Sequence, residues 1–260
     1  MVNKRLLAAL CLLTITACAG AGAARKAHDP DALWRLVNRC SSSADADRPA
    51  DCVAVWADPA RRAVVLKDSQ GRYQYLLLPL PRLTGIEDDQ LRRAALPNYF
   101  ALAWQARGFV AQALGRPVPR RYMSLALNSP YGRSQNQFHI HLDCLREDVA
   151  AALARQSAAI GPDFAALPEP LRGHRYLARR LDGAELTADP LHLLEQSLAG
   201  DERIDRYSLV VAGTEDAAGP GFVVLATRFD PLSGNFASGE ELQDHACGAL
   251  TGAKALDGVR

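Results

Sequence analysis

The sequence predicts an α+β fold built around an antiparallel sheet. Short runs of aliphatic, β-branched or aromatic residues alternate with turn residues, and other segments carry apolar side chains at helical spacing. Hairpin-like pairs of strands are mixed with helices, which is typical of α+β proteins. The chain has 260 residues, of which 48% are hydrophobic and 23% are charged, so it can bury a core without a structural metal.

Three apolar segments in the first third of the chain predict an antiparallel meander. They are Cys52 to Trp56, Ala63 to Lys67 and Tyr73 to Leu78. Asp58-Pro59 and Ser69-Gln70-Gly71 separate them, and such residues favour tight turns.

One helix and two strands are predicted next. Tyr99 to Leu114 has apolar residues at helical spacing, with Asn98 as its N-cap and Gly115 as its end. Two central strands are predicted over Tyr122 to Leu127 and Phe138 to Leu145, and a turn-rich segment joins them.

The second half of the chain repeats the mixture of helices and strands. Glu147 to Ile160 is rich in alanine and predicts a helix that ends at Gly161-Pro162. The remaining predicted elements are a strand near His174 to Leu181, a helix over Pro190 to Leu198, strands over Tyr207 to Ala212 and Phe222 to Thr227, and a last helix over Ser238 to Leu250.

The N-terminal segment is predicted to be an export signal. Lys4 and Arg5 precede Leu6 to Ala24, a stretch without charge that ends in small residues. Three fates are open: cleavage after Ala19-Gly20-Ala21, lipid attachment at Cys18, or retention as a short membrane anchor.

These features predict the organisation and location of the chain. We expect residues 1–24 to be a signal peptide, lipoprotein signal or signal-anchor, and residues 25–260 to form one exported domain. That domain would be membrane-associated, either at the cell inner membrane facing the periplasm or as a lipoprotein. The formal charge of the whole chain is +1, which lacks the basic excess that nucleic-acid binding needs.

Four cysteines lie in the exported body, namely Cys40, Cys52, Cys144 and Cys247. In an oxidising compartment they predict disulfides, and four cysteines allow three pairings. Cys40 and Cys52 flank a polar loop, which favours a local bridge, and Cys144–Cys247 then follows by elimination. A zinc site is the alternative, although the sequence has no C-x-x-C or H-x(3–5)-H spacing.

The segment from Asn128 to Leu145 carries the most chemistry. Side chains alternate faces along a strand, so Phe138, Ile140 and Leu142 are expected on one face. The other face would carry Gln137, His139, His141 and Asp143. Two imidazoles two residues apart can act on one ligand, and histidine suits nucleophilic attack at phosphorus near neutral pH. A pair of metal ligands and a solvated strand face remain open as alternatives.

This segment resembles the signature of the histidine-triad (HIT-like) superfamily, over His139-Ile140-His141-Leu142-Asp143-Cys144-Leu145. The wider chain resembles the bacterial CDP-diacylglycerol diphosphatase (pyrophosphatase) family, and the resemblance covers nearly everything after the leader. It implies a HIT-like antiparallel sheet with flanking helices. The supporting stretches are Tyr75 to Pro79, Leu102 to Arg107, Gln135 to His141, Leu171 to Arg180 and Gln243 to Cys247.

The resemblance implies hydrolysis of CDP-diacylglycerol to CMP and phosphatidate in phospholipid metabolism. His141 would attack the CMP phosphorus and form a covalent nucleotidyl-histidine, with His139 as its supporting neighbour. No metal or other cofactor is implied. The residues expected to bind the substrate phosphates are Asn128, Arg133, Gln135, Asn136 and Gln137.

Other charged and ionisable residues lie in or near these stretches. Asp143 stands where the superfamily has a third histidine, and a carboxylate there would repel a diphosphate unless it is protonated, paired with an arginine or turned away. His174 and His245 are expected to be structural. Arginines that could hold the diphosphate, or be solvated charges, are Arg172, Arg175, Arg179 and Arg180.

Two alternative functions come from other classes. A metal-dependent phosphodiesterase could use His139, His141 and Asp143 as ligands. A non-catalytic lipoprotein could bind nucleotides or lipids without turnover. In the preferred hypothesis the partners are the lipid substrate and the membrane surface that the N-terminal segment contacts, whereas the sequence predicts no oligomeric state.

Overall fold

The computed structural model describes residues 29–44, 47–92, 96–217 and 219–254. The predicted leader, with Cys11 and Cys18, lies outside these residues, so its fate stays a prediction. Within the described ranges, no helix is both long and apolar enough to cross a membrane.

The elements alternate irregularly along the chain. The helices are α1 (Ala32–Ser42), α2 (Tyr99–Ala106), α3 (Gly108–Leu114), α4 (Glu147–Arg155), α5 (Pro190–Ser197) and α6 (Gly248–Thr251). The strands are β1 (Cys52–Trp56), β2 (Ala63–Lys67), β3 (Tyr75–Pro79), β4 (Met123–Leu127), β5 (Ile140–Cys144), β6 (Ala165–Ala166), β7 (Leu177–Asp182), β8 (Tyr207–Asp216) and β9 (Gly219–Arg228).

All nine strands join one antiparallel sheet in the order β1-β2-β3-β5-β4-β8-β9-β7-β6. The α+β prediction is therefore confirmed. Strand β5 lies inside the sheet, where His141 is opposite Leu76 of β3 and Ala126 of β4. An inner strand has both backbone edges paired, so the side chains of β5 are held in a fixed register.

The two faces of the sheet are covered differently. On one face α2, α3 and α5 complete the largest apolar cluster, which includes Trp104 and Phe222. On the other face α1 packs over β2 and β3, and α4 contributes to a separate cluster with β8 and β9. Leu76 belongs to the first of these smaller clusters and Ala126 to the second, so His141 lies between them.

Three predicted helices differ from the structure. The helix predicted over Glu147 to Ile160 ends at Arg155 and is followed by a 3-10 turn over Ser157–Ala159. The helix predicted over Tyr99 to Leu114 is interrupted at Arg107, although Asn98 caps its start by accepting from Ala101 N at 3.0 Å and Gly115 ends it at φ 71°. The helix predicted over Ser238 to Leu250 is wrong. That segment is a 3-10 turn over Gly239–Leu242, an extended stretch and the short α6, because its backbone bonds to the end of β5 instead of to itself.

Both predicted disulfides are present. Cys40–Cys52 spans 12 residues and Cys144–Cys247 spans 103. Cys40 lies within α1, so the loop predicted between the first pair begins only after this helix. Because the sulfurs are bonded to each other, these cysteines offer no thiolate to a zinc ion.

Candidate active site

The polar side chains of Gln137, His139, His141 and Asp143 form what we call the β5 polar face. The predicted alternation is confirmed, since Phe138, Ile140 and Leu142 lie in the core on the opposite side. The polar face is buried as well, with His139 only 6% and His141 only 5% exposed. It is therefore not a solvated strand face, and each of its polar atoms needs a partner or a function.

His139 has a defined tautomer. Its Nδ1 atom lies 2.6 Å from the carbonyl oxygen of Gln137, which can only accept, so Nδ1 carries the proton. Its ring meets that of His141 edge to face, with 4.8 Å between centroids. Burial, followed by the neighbouring His141, lowers the pKa of His139, so the ring is neutral at pH 7.

His141 is held at one nitrogen and unpartnered at the other. Its Nδ1 atom lies 3.1 Å from Glu240 Oε1 and 3.1 Å from Gln74 Nε2. Its Nε2 atom is buried and has no hydrogen-bond partner among the residues that the structure describes. Burial lowers the pKa of His141, which keeps this ring neutral as well.

Glu240 is itself fixed by its neighbours. Asn128 Nδ2 donates to Glu240 Oε2 at 2.6 Å, and Gln74 Nε2 donates to Glu240 Oε1 at 3.3 Å. The Oδ1 atom of Asn128 accepts from Gly239 N at 2.8 Å, which fixes the orientation of its amide. Asn128 thus reaches His141 through Glu240.

Asp143 is paired with a histidine from the C-terminal part of the chain. Its Oδ2 atom lies 2.5 Å from His245 Nδ1, and its Oδ1 atom accepts from Cys144 N at 2.8 Å. Burial raises the pKa of Asp143 to about 6, although His245 opposes this shift. Burial has the largest single effect on the pKa of His245 and lowers it, but the hydrogen bond and charge of Asp143, with the charges of Glu240 and Asp68, together outweigh burial, and the net shift is upward.

These contacts bear on the metal-dependent alternative. In the described part of the chain, one group of three side chains that could ligate a metal lies within 4.8 Å, namely Asp143, Cys144 and Cys247. Two of the three are joined in a disulfide. The set His139, His141 and Asp143 does not converge on one point.

The other predicted phosphate-binding residues have different surroundings. Arg133 forms a two-pronged ion pair with Glu87, at 2.7 and 2.5 Å. Gln137 Nε2 donates to carbonyl oxygens at the end of β3 and beyond, at 3.2 and 3.3 Å. Gln135 holds the start of α1, and Asn136 is exposed. Among these residues, the side chain of Asn136 is the most open to a ligand.

The arginine group is not brought to the β5 polar face as a unit. Arg179 and Arg180 lie on β7, four strands away from β5, which corresponds to roughly 19 Å at normal strand spacing. Arg180 binds Asp182 and Asp216.

Three functional candidates, Gln74, Glu240 and Gln243, were not singled out from sequence, and His245 was expected to be structural. Gln243 Nε2 donates to the carbonyl oxygen of His141 at 3.3 Å and to Ser124 Oγ at 3.1 Å. Gln243 and His245 lie in one of the stretches that carry the family resemblance. Glu240 has no comparable sequence signal, because only the fold brings it to Asn128 and His141.

The comparisons with known proteins identify the family of the chain. The family model for CDP-diacylglycerol pyrophosphatase matches residues 28–251. The chain therefore belongs to the CDP-diacylglycerol pyrophosphatase family. It is also 41% identical over 251 residues to a protein of Yersinia pestis named CDP-diacylglycerol pyrophosphatase, with 95% of each chain covered.

Proposed function

We propose that this protein hydrolyses CDP-diacylglycerol to CMP and phosphatidate through a covalent nucleotidyl-histidine on His141. The observation that carries the mechanism is the asymmetry of the His141 ring. Its Nδ1 atom faces the carboxylate of Glu240, while its Nε2 atom has no partner among the described residues. The Gln74 amide nitrogen, 3.1 Å from the same Nδ1 atom, donates to the Glu240 carboxylate instead, and the charged acceptor keeps the proton on Nδ1. The lone pair is then on Nε2, which is the nucleophilic form of imidazole.

The proposed reaction proceeds in two displacements. His141 Nε2 attacks the CMP phosphorus, the bond from that phosphorus to the bridging oxygen breaks, and phosphatidate leaves with the bridging oxygen. Water then attacks the same phosphorus, the N–P bond breaks, and CMP is released. The imidazole becomes cationic in the intermediate, and the carboxylate of Glu240 stabilises this charge through Nδ1–H.

The neighbouring residues have supporting roles in this mechanism. His139 is the neutral neighbour that packs against the nucleophile, and its proton on Nδ1 leaves Nε2 as an acceptor. Asn128 orients Glu240. Asp143 is paired with His245, which removes the objection that its carboxylate would repel a diphosphate. Arg133, Gln135, Asn136 and Gln137 stay predictions as phosphate-binding residues.

We also propose that the chain belongs to the HIT-like superfamily. The H-x-H motif begins one residue before β5 and continues into it. Because β5 is an inner strand of an antiparallel sheet, this position supports the placement. Residues 25–260 would form one catalytic domain, and residues 1–24 would direct export and hold the protein at the membrane. That membrane surface would be the periplasmic face of the inner membrane, or a lipid at Cys18 would supply the anchor.

The test uses the full oxidised chain with CDP-diacylglycerol in detergent micelles and excess chelator, and mass spectrometry follows CMP and phosphatidate. We expect the wild type to release both products and His141→Ala to release neither. His192→Ala is the matched control, because this histidine lies on α5 with about half of its side chain exposed. Rapid quenching in base, followed by intact-protein mass spectrometry, should detect the wild-type nucleotidyl adduct and none on His141→Ala.

Three outcomes would contradict the proposal. Activity that disappears in chelator and returns with a divalent metal would favour the metal-dependent phosphodiesterase. Substrate binding without turnover would favour the non-catalytic lipoprotein. Full activity of His141→Ala would exclude the nucleophile.

A further inference from the structure

An exposed apolar surface lies on two neighbouring loops. The described part of the chain has four exposed large apolar side chains, and three of them, Tyr131 (43%), Leu232 (99%) and Phe236 (46%), lie in the loops after β4 and β9. Phe229 joins them, with its ring stacked on Tyr131 at 3.9 Å and 6.1 Å from Phe236. We call these four residues the rim surface. Clustered apolar exposure of this kind marks an interaction site.

The loop that carries Leu232 is well ordered by its own bonds. Asp230 and Asn235 exchange two backbone hydrogen bonds, at 2.8 and 2.9 Å. The side chain of Asp230 also accepts from Leu232 N at 3.2 Å. Leu232 is therefore held outward on a closed turn, and its exposure is a property of the fold.

The rim surface is continuous with the candidate active site. Ser129 N donates to the carbonyl oxygen of Ala237 at 3.2 Å, and Ser129 Oγ donates to that of Phe236 at 3.1 Å. Ser129 directly follows Asn128, and Phe236 lies four residues before Glu240. The two loops that carry the apolar side chains therefore also carry the pair that orients His141.

The start of the described chain is fastened to the same connection between β4 and β5. Asn136 N donates to the carbonyl oxygen of Pro30 at 2.7 Å, and Gln135 Nε2 donates to that of Asp29 at 3.0 Å. The predicted leader precedes this point. A leader that holds the protein at a membrane would therefore keep the connection between β4 and β5, which also carries Tyr131, close to the bilayer.

We propose that the rim surface docks on a phospholipid bilayer, so that the acyl chains of the substrate stay in the bilayer while its diphosphate reaches His141. The inference rests on the proposed function, because only a lipid substrate requires the site to open at a membrane. Aromatic and leucine side chains are the residues that enter the interfacial region of a bilayer. The neighbouring Arg203 and Arg228 are paired with Asp205 and Glu202, so docking is expected to occur on zwitterionic lipid.

The kinetic test compares two forms of substrate. One is long-chain CDP-diacylglycerol in phosphatidylcholine vesicles, and the other is a short-chain analogue below its micellar concentration. For Leu232→Ser/Phe236→Ser we expect kcat/KM on vesicles to fall by about tenfold or more, because the variant lacks two apolar side chains whose transfer from water into the bilayer stabilises docking. On the dissolved analogue kcat/KM should be unchanged. The matched control is Val53→Ser, since Val53 is the fourth exposed apolar residue and lies on β1 at the far edge of the sheet.

A second measurement does not depend on catalysis. In full-length Leu232→Trp, brominated phosphatidylcholine in vesicles should quench the added fluorescence, whereas in Val53→Trp it should not. Equal kinetic losses on both substrate forms, or no loss on vesicles together with no quenching, would overturn the docking proposal. A wild type that hydrolyses neither substrate while Leu232→Trp is quenched would refute the proposed function and leave the docking surface intact.

Discussion

Glu240→Gln is the substitution that tests the orientation of His141 most directly, because it keeps the shape of the side chain and removes its charge. Asn128 Nδ2 donates to one oxygen of Glu240, and Gly239 N fixes the Asn128 amide so that it cannot turn over. The new amide must therefore present its oxygen to Asn128 and its NH2 group to His141. The variant then has no carboxylate to accept from Nδ1, and the NH2 groups of residue 240 and of Gln74, 3.1 Å away, both face this atom. The lone pair therefore lies on Nδ1, and the proton of His141 moves to Nε2.

The expected loss follows from the two hydrogen bonds that are exchanged. A bond to the charged carboxylate favours the reactive tautomer by about 1.5–3 kcal/mol, and a neutral bond from the amide favours the unreactive one by about 0.5–1.5 kcal/mol. The total of about 2–4.5 kcal/mol corresponds to a decrease in kcat of roughly 30- to 2,000-fold. The substrate contacts are unchanged, so KM should vary far less than kcat.

The assay is the steady-state release of CMP by Glu240→Gln and by Glu241→Gln. Glu241 is the matched control, because its carboxylate binds His174 at 2.8 Å and Tyr176 at 2.5 Å and has no contact with His141 in the described structure. Retention of more than one third of the wild-type kcat by Glu240→Gln would refute the tautomer argument. An equal loss in both variants would point to folding, which urea unfolding of each variant would reveal.

Two further predictions concern stability and pH. Replacing Cys144 and Cys247 by alanine should lower the free energy of unfolding by about 2 kcal/mol more than replacing Cys40 and Cys52, because loop-closure entropy gives about 4.7 kcal/mol for 103 residues and about 2.8 kcal/mol for 12. Urea unfolding of the two double variants measures the difference, and equal midpoints and slopes would contradict it. Since burial lowers the pKa of both histidines of the β5 polar face, kcat/KM should stay constant as the pH falls to 6.5, the ordinary pKa of histidine. An acidic limb with an apparent pKa of 6.5 or higher would contradict this. The lowered pKa values of the two histidines also remove folding stability as the pH falls below 6.5, because only the unfolded chain gains these protons, and the raised pKa of Asp143 opposes this loss below about pH 6.

Local signals predicted most of the fold. The bounds of β1 and β2 agree with the structure because turn residues limit both runs. Helix α1 was missed, since Asp31 makes no capping bond from its side chain and the apolar stripe of α1 extends over only three turns. The prediction of the last helix was wrong because the segment before Cys247 forms long-range hydrogen bonds to β5. Local helix propensity does not account for such bonds.

The sequence likewise predicted only part of the candidate site. Alternation along one strand was sufficient to place His139 and His141 together on one face. The role of Asn128 was not foreseen, because its partner Glu240 is 112 residues away along the chain. Arg133 is the right type of residue to bind phosphate, but the fold pairs it with Glu87 instead. A strand pattern therefore identifies reactive groups, whereas the groups that orient them depend on tertiary contacts.

The C-terminal position of the residues that cover His141 has a consequence for biosynthesis. A ribosome completes all nine strands when it reaches Arg228 at the end of β9, before it has made Glu240, Gln243 or Cys247. A chain that stops there contains every residue of the sheet, but the nucleophile lacks its carboxylate and the longer disulfide lacks one sulfur. Hydrolytic competence would thus require the segment from Glu240 to Cys247, which makes activity a sensitive indicator of whether this segment is present and oxidised.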